Sequence, residues 1–280
     1  MKIGWLFIMA RPLRIEYPGA LYHITSRGNN KQNIFIDDSD RISFLEILSK
    51  VIEEREWLCY AFCLMGNHYH LLIETPKANL SRGMQQLDSV YARRFNKRHE
   101  RVGHLFQARF HAALIEKEVY LLEVLRYTVL NPVRAGLCKD PAFYKWSSYL
   151  DVLGKRKPLH FLNIAFVISL FSNPGKDPVD EYREFILSGF KSDIGNKLYE
   201  SDVLGSKEFV EKTKGLKKTA VTINRPSISE ILENIGFDKK MRNEKIVEAY
   251  LKYDYQVNEI AEHLGLHRTT IRRILHRFGV

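Results

Sequence analysis

Two apolar, β-rich runs, residues 58–65 and 68–75, are separated by only Gly66 and Asn67. A short Gly-Asn step between two such runs is typical of a β-hairpin, so the sequence predicts two adjacent antiparallel strands. Of all local signals, this hairpin places the tightest limit on the fold, because the rest of the domain has to be arranged around a fixed strand pair.

The first 155 residues alternate between strand-like and helix-like stretches. Besides the hairpin, the patterns predict strands at 20–27 and 109–115 and helices at 38–57, 80–97 and 117–130. The order β-α-β-β-α-β-α predicts an α+β domain, a ferredoxin-like antiparallel sheet with helices on one face. We expect four regions: a short N-terminal extension at 1–8, this domain at 9–154, a linker or helical connector at 155–224, and an all-α C-terminal module at 225–280.

Composition narrows the class of protein. Hydrophobic residues make up 45% and charged residues 27% of the 280 residues, which is typical of a folded globular chain. The longest apolar runs are too short to span a bilayer. The three cysteines are too few, and odd in number, for a disulfide scaffold, so the sequence predicts a cytoplasmic protein without membrane contact.

The net charge of +10 and pI near 9.4 favour a polyanionic partner. Residues 77–111 contain eight lysines and arginines against two acidic residues, with aromatic and amide side chains interleaved. Such a mixture suits phosphates and unstacked bases; the alternative is a basic amphipathic helix with a solvated face. The candidate DNA-binding residues here are Arg82, Arg93, Arg94, Lys97, Arg98, Arg101 and Arg109.

His68 and His70 lie in the second strand of the hairpin. Residues two apart on a strand face the same way, so both imidazoles are expected on one face and Tyr69 on the other. Two imidazoles on one face can bind a divalent ion. The alternative is that they are two polar residues on an open sheet face. Cys59 and Cys63 lie in an apolar run and are expected to be buried structural thiols.

Tyr127 and Asn131 are one helical turn apart in the helix predicted from residue 117. A phenol and an amide so spaced can reach one ion, the tyrosine as a nucleophile and the asparagine as a ligand. Alternatively, Tyr127 is an ordinary surface tyrosine. Tyr91 is the rival nucleophile, but it continues an apolar stripe and is expected to face the core.

Five segments carry a family resemblance. They are RPLRIEYPGALYHITSRGNN (11–30), GNHYHLL (66–72), RVGHLFQARF (101–110), RYTVLNPVRAGL (126–137) and WSSY (146–149). Together they resemble the REP-associated tyrosine transposases, which belong to the HUH single-strand DNA transposases. The resemblance covers about residues 9–154, and the family's ferredoxin-like fold agrees with the predicted strand order.

The resemblance implies roles for four residues: His68 and His70 as metal ligands, Asn131 as the third ligand, and Tyr127 as the single nucleophile. It implies a metal-dependent single-strand DNA endonuclease and strand transferase, with Mg²⁺ or Mn²⁺ as the cofactor. The tyrosine would displace a 3′-OH and become linked to the 5′-phosphate of hairpin or repeat-associated DNA.

The C-terminal module has a helix-turn-helix pattern around Ala261 and Gly265. Its second helix carries the donors expected of a major-groove reader: Arg268, Thr269, Arg272 and Arg273. The pattern predicts duplex DNA as a second partner, beside single-stranded or hairpin DNA at the catalytic domain. The alternative is a helical hairpin for protein contacts, and a homodimer stays open.

Two other functions remain as alternatives. A non-catalytic DNA-binding regulator could retain the fold, but it would have no need of His68, His70, Tyr127 and Asn131 together. A metal-dependent hydrolase unrelated to nucleic acid would leave the basic helix and the C-terminal module without a purpose.

Overall fold

The computed structural model describes residues 14–189, 194–219, 226–233, 238–251, 253, 255 and 257–278. Contacts between Cα atoms divide the chain into two compact units, Met1–Lys218 and Thr219–Val280. The expected extension at 1–8 and the expected boundary between 224 and 225 lie outside the described residues. None of the described helices is long and apolar enough to cross a membrane.

The first unit is built on a five-stranded sheet. Its strands are β1 (Ala20–Arg27), β2 (Leu58–Leu64), β3 (His68–Thr75), β4 (His111–Ile115) and β5 (Val203–Leu204). They are ordered β2-β3-β1-β4-β5; β1 to β4 form the antiparallel pairs and β5 runs parallel to β4. With the helices α1 (Asp38–Arg55), α2 (Leu80–Arg98) and α3 (Lys117–Arg134), the element order is the predicted one, and the α+β class is confirmed.

The β2–β3 hairpin forms where the sequence predicts it. Met65 N–H donates to His68 O at 2.9 Å across the turn, and Leu64 is paired with Tyr69. β3 then pairs with β1 in a register that sets Arg27 opposite His68 and Thr25 opposite His70. Because paired residues of antiparallel strands face the same side, the odd-numbered residues of β1 share a face with both histidines.

The two faces of the sheet bury different helices. α1 and α2 pack on the face that carries Tyr22, Ile24 and Leu71, in one core cluster. Asp37 precedes α1 as its N-cap, and its side chain accepts from Asp40 N at 3.1 Å. Tyr91 of α2 is buried in this core and its hydroxyl donates to Ile34 O, so it faces inward as expected.

α3 packs on the opposite face, together with Leu21 and Leu72 of β1 and β3. The expectation of helices on one face therefore holds for α1 and α2 but not for α3. The physical reason is that the sheet also carries apolar residues on this second side, among them Leu21, Leu72 and Ile115, and these need a cover. α3 also continues through Pro132 to Arg134, beyond its predicted end, since Pro132 removes only one N–H and Ala135 N–H donates to Asn131 O at 2.9 Å.

The residues expected as a connector add further helices to the first unit. These are α5 (Ile164–Ser169), α6 (Pro178–Ser188), α7 (Ile194–Glu200) and α8 (Lys207–Thr219), after the short α4 (Tyr149–Val152). Val167, Tyr182, Ile186 and Leu198 are buried in the same core as α3. α5 to α7 therefore thicken the α3 side of the sheet, whereas Phe209 of α8 packs against the core on the other side.

The second unit is helical. It consists of α9 (Ile228–Ile231), α10 (Lys239–Leu251), α11 (Val257–His263) and α12 (Arg268–Arg277). Ile260 and Ile271 are fully buried between α11 and α12, and Gly265 takes a φ of +62° in the turn that joins them. On α12, Arg268, Thr269, Arg272 and Arg273 are exposed; their contact with duplex DNA stays a prediction.

Candidate active site

The histidine pair of β3 lies on the α3 face of the sheet. The ring centroids of His68 and His70 are 5.0 Å apart, and His70 is fully buried while His68 is partly exposed. Tyr69 points to the other face, where its hydroxyl donates to Asp88 Oδ1 at 2.6 Å. The two-residue alternation of the strand thus sets two different polar groups on its two sides.

A third histidine, His23 of β1, joins the pair. Its Nε2 lies 3.0 Å from His70 Nδ1, and the two rings stack with centroids 5.2 Å apart. Sequence reasoning missed His23 because it lies in another strand. The sequence showed only that His23 lies in the predicted strand ALYHITSR; the β1–β3 register, which sets Thr25 opposite His70, is visible in the structure alone.

All three imidazoles are neutral at neutral pH. Burial lowers the pKa of His23 to about 3 and that of His68 to about 4. Burial, followed by the neighbouring His23 and His68, holds the pKa of His70 well below its usual range. A neutral imidazole is the form that binds a metal ion.

Tyr127 of α3 lies against these rings. Its ring meets those of His23 and His70 edge-on, with centroids 5.6 Å and 5.7 Å away. The side chain is 6% exposed. Burial, with a further contribution from Tyr199, raises its pKa above the usual value, so the side chain is a neutral phenol.

Asn131 and Arg134 lie on the same side of α3 as Tyr127. Asn131 is 8% exposed, and its Nδ2 donates to Tyr127 O at 2.9 Å. The Arg134 guanidinium lies 5.3 Å from the centroid of the Tyr127 ring, where it favours the phenolate. Asn131 and Arg134 therefore lie beside Tyr127, the residue of α3 that contacts the histidine rings.

α7 covers the tyrosine. A Cβ at Gly195 would lie 2.8 Å from Tyr127 Cε2, so only a glycine allows this approach. Tyr199 of the same helix shares a side-chain hydrogen bond with Tyr127, and its ring stacks on His111 with centroids 6.2 Å apart. Sequence reasoning gave no role to these residues, because they belong to the region 155–224 that was expected to be a linker or helical connector.

The arginines and the lysine proposed for DNA binding lie on α2 and the loop after it, and α2 packs on the face opposite Tyr127. Several have protein partners: Arg98 pairs with Asp37 at 2.6 Å and Asp40 at 2.5 Å, Arg94 with Glu46 at 3.5 Å, and Arg101 donates to Gln32 at 2.8 Å. Arg82 is partly exposed, and Arg93, Lys97 and Arg109 are exposed.

The loop between α2 and β4 reaches the histidine end of the sheet. Phe106 forms a bridge with Gly28, and Gln107 N–H donates to Arg27 O at 2.9 Å. Arg27 is the residue of β1 that is paired with His68. The loop between α2 and β4, which belongs to the basic stretch at 77–111, therefore reaches the end of β1 beside His68.

The fold and the histidine–tyrosine site agree with a DNA-processing enzyme of the transposase class. Residues 17–129 match the family model described as "Transposase IS200 like". This part of the chain is similar to the IS200-like transposases, and the match supports DNA transposition as the class of activity. The resemblance predicted from the sequence is confirmed at the level of that family.

The chain was also compared with solved structures and with curated proteins. A solved structure described as "Structure of the REP associates tyrosine transposase bound to a REP hairpin" is similar, with a TM-score of 0.45 and 17% identity, over 56% of this chain and 90% of that chain. No curated protein matches this chain.

Proposed function

We propose that this transposase is a metal-dependent single-strand DNA endonuclease and strand transferase that acts on hairpin or repeat-associated DNA. Tyr127 forms a covalent 5′-phosphotyrosine intermediate. The observation that carries the proposal is the position of the Tyr127 ring, 5.7 Å from the ring of His70. The phenol of α3 and the imidazoles of β3 thereby share one small, largely buried site.

The donor set fits a divalent ion. His70 Nε2 is buried and has no hydrogen-bond partner among the described residues, and both His68 and His70 are neutral imidazoles. The described residues contain no group of three or more His, Cys, Asp or Glu side chains that could hold a metal. We assign the third ligand to the amide of Asn131, as the family resemblance implies. When bound, Mg²⁺ or Mn²⁺ would polarise the scissile phosphate and offset charge on the attacking and leaving oxygens.

Tyr127 carries out the displacement. Its Oη–phosphorus bond forms as the bond from phosphorus to O3′ breaks, so the DNA 5′-phosphate becomes esterified to the tyrosine. The phenol loses its proton during the attack, and the departing O3′ takes one up as a 3′-OH. Because the ester keeps the phosphodiester energy, another 3′-OH can attack it and join two strands.

The neighbouring residues orient this phenol. Asn131, one turn further on, and the Arg134 guanidinium both favour the phenolate, against the burial that raises the tyrosine pKa. Tyr127 is therefore held neutral at rest and has to lose its proton in the course of the reaction.

The experiment is a covalent-adduct assay. Full-length protein is incubated with labelled single-stranded hairpin DNA and Mn²⁺, and the DNA-linked protein is resolved on a denaturing gel. The wild-type chain should form an adduct and Tyr127→Phe should form none, while its DNA affinity stays within about twofold. Tyr91→Phe is the matched control, since Tyr91 is buried on the opposite face. An adduct with Tyr127→Phe, or its persistence in excess chelator, would refute the proposal.

A further inference from the structure

A cavity lies on the other side of the sheet from Tyr127. It has a volume of about 810 Å³ and opens between α2 and the loop at 103–110. This volume is within the range of about 300–1,000 Å³ that is usual for small-molecule sites. The cavity is distinct from the histidine–tyrosine site, because α2 packs on the face of β3 that carries Tyr69.

Positive charge surrounds this cavity. Arg14, Arg93 and Arg109 line it. Within the described residues, neither Arg93 nor Arg109 forms a hydrogen bond or an ion pair, and both are exposed. Burial and the nearby Arg109 lower the pKa of Arg14, so the guanidinium groups of Arg14 and Arg109 stand close enough to repel one another. A bound phosphate would relieve that repulsion.

Flat surfaces form part of the wall. Phe106 and Phe110 line the cavity, and the Arg14 guanidinium stacks on Phe110 at 3.7 Å from the ring centroid. Aromatic rings and guanidinium planes are the surfaces on which unpaired bases stack, at about 1–3 kcal/mol for each base. A sugar-phosphate chain alone would need no such wall.

A single carboxyl group, Asp88, lies among these cations and rings. Its Oδ1 accepts from the Tyr69 hydroxyl at 2.6 Å, and no salt bridge to Asp88 occurs among the described residues. Burial raises its pKa to about 7. A carboxylate inside an otherwise cationic cavity would weaken the binding of a bare phosphate, so the cavity suits a ligand that combines anionic phosphate with N–H donors.

We propose that this cavity binds one unpaired nucleobase of single-stranded DNA, and that it prefers bases with an exocyclic amino group over thymine. The amino group donates to Asp88, the base stacks on the Phe106 and Arg14–Phe110 surface, and Arg93 and Arg109 bind the flanking phosphates. The cavity shares its loop with the strand end at Arg27 and His68, so the base belongs to the strand that enters the active site. In this sense the proposal rests on the proposed function.

The test measures binding with the chemistry switched off. Affinities of the full-length chain for fluorescein-labelled dA8, dC8 and dT8 are compared in excess chelator. The expected preference for dA8 and dC8 over dT8 is at least about fivefold, the lower end of what one base-specific contact provides. An octamer of deoxynebularine, which is adenine without its amino group, should bind as weakly as dT8, and this arm needs no variant protein.

Variants separate the roles of the groups. Asp88→Asn should reduce the dA8-to-dT8 ratio to about one, whereas Arg93→Ala and Arg109→Ala should weaken all probes alike and leave the ratio unchanged. Glu184→Gln and Arg183→Ala, two exposed changes on α6, are the matched controls and should alter neither quantity. Equal wild-type affinity for dA8, nebularine and dT8, or an unchanged ratio in folded Asp88→Asn, would overturn the proposal.

The covalent-adduct assay keeps the two proposals apart. If Tyr127 forms the adduct but the base preference is absent, the cavity proposal is wrong and the proposed function stands. If the preference depends on Asp88 but no adduct forms, the chain binds single-stranded DNA at this cavity without the proposed chemistry.

Discussion

The two faces of β3 carry opposite kinds of polar groups. On the α3 face, His68 and His70 are neutral bases that lie beside a neutral phenol. On the α2 face, Tyr69 donates to a carboxyl group, Asp88, in a cavity lined by cations. One strand therefore supports two sites of opposite character, because alternate side chains point to opposite sides.

Burial favours the uncharged form of the titratable groups at both sites, but the consequences differ. It lowers the pKa of the histidines and raises that of Asp88. Neutral imidazoles are ready to bind a metal ion. A carboxyl group with a pKa of about 7 can change its charge near neutral pH. Perturbed groups of both kinds cluster at functional sites, which favours a role for each face.

The largest expected difference between the faces comes from adjacent substitutions on β3. His70→Ala should lower the rate of adduct formation at saturating DNA by at least about 100-fold. Loss of a residue that only hydrogen-bonds a metal ligand already costs up to about 100-fold, and His70 is itself a proposed ligand. Tyr69→Phe should leave this rate within about threefold and cost about 1 kcal/mol of stability, because Asp88 loses a hydrogen bond. Single-turnover kinetics and chemical denaturation measure the two effects. Comparable rate losses would mean that the faces are not independent.

Much of the architecture follows from local patterns. The hairpin at Gly66-Asn67 and the shared face of His68 and His70 depend on neighbouring residues only, and the sequence was sufficient to predict both. The position of Tyr127 over His70 depends on α3 packing on the second face, which the expected one-faced sheet did not include. The family resemblance, and not the predicted fold, implied that Tyr127 acts together with His68 and His70.

The missed features depend on distant parts of the chain. His23 reaches His70 only through the β1–β3 register, which no short pattern specifies. α7 covers Tyr127 although its sequence lies in the region 155–224, which was expected to be only a linker or helical connector. Such tertiary contacts decide burial, and burial in turn decides the protonation state of each group in the site.

His23 offers the second test of the α3 face. A histidine that binds a metal through Nε2 usually donates its Nδ1–H to a neighbouring acceptor, and here the neighbour is His23 Nε2 at 3.0 Å. His23→Phe should weaken Mn²⁺ binding by about 10–100-fold, whereas His23→Gln, whose amide oxygen can accept the same proton, should recover part of the loss. Titration of free Mn²⁺ by electron paramagnetic resonance, without DNA, measures this. Equal affinities for the two variants would show that His23 only fills space.

Asp88 offers a test of the α2 face through the pH dependence of stability. Its pKa is about 7 in the folded chain and about 3.9 in an unfolded one, so the folded state binds the extra proton between these values. The free energy of unfolding should therefore fall as pH rises from about 4 to 7. Above about pH 7 the contribution of Asp88 to this free energy is constant. Asp88→Asn keeps an acceptor for Tyr69 and removes the charge, so its Tm advantage over wild type should grow from pH 5 to pH 8.

Thermal melts in matched buffers measure that advantage. Each kcal/mol should correspond to about 2–4 °C for a chain of this size. Glu184→Gln, which removes an exposed carboxylate from α6, is the control and should show a constant difference. An Asp88→Asn advantage that is equal at pH 5 and pH 8 would mean that the carboxyl group is already charged at pH 5.

The smallest expected effect extends the comparison to the second unit. Arg272 and Arg273 are exposed on α12 and are predicted to contact duplex phosphates or bases. If they contact phosphates, Arg272→Ala and Arg273→Ala should each reduce the slope of log affinity against log salt by about one on a duplex-flanked substrate, and should leave binding to dA8 unchanged. Arg93→Ala should do the reverse and weaken dA8 binding most, because Arg93 lines the cavity on α2. Salt titrations of all three variants on both probes separate the surfaces, and equal losses on both probes would show that α12 supports the fold or a homodimer instead of binding duplex DNA.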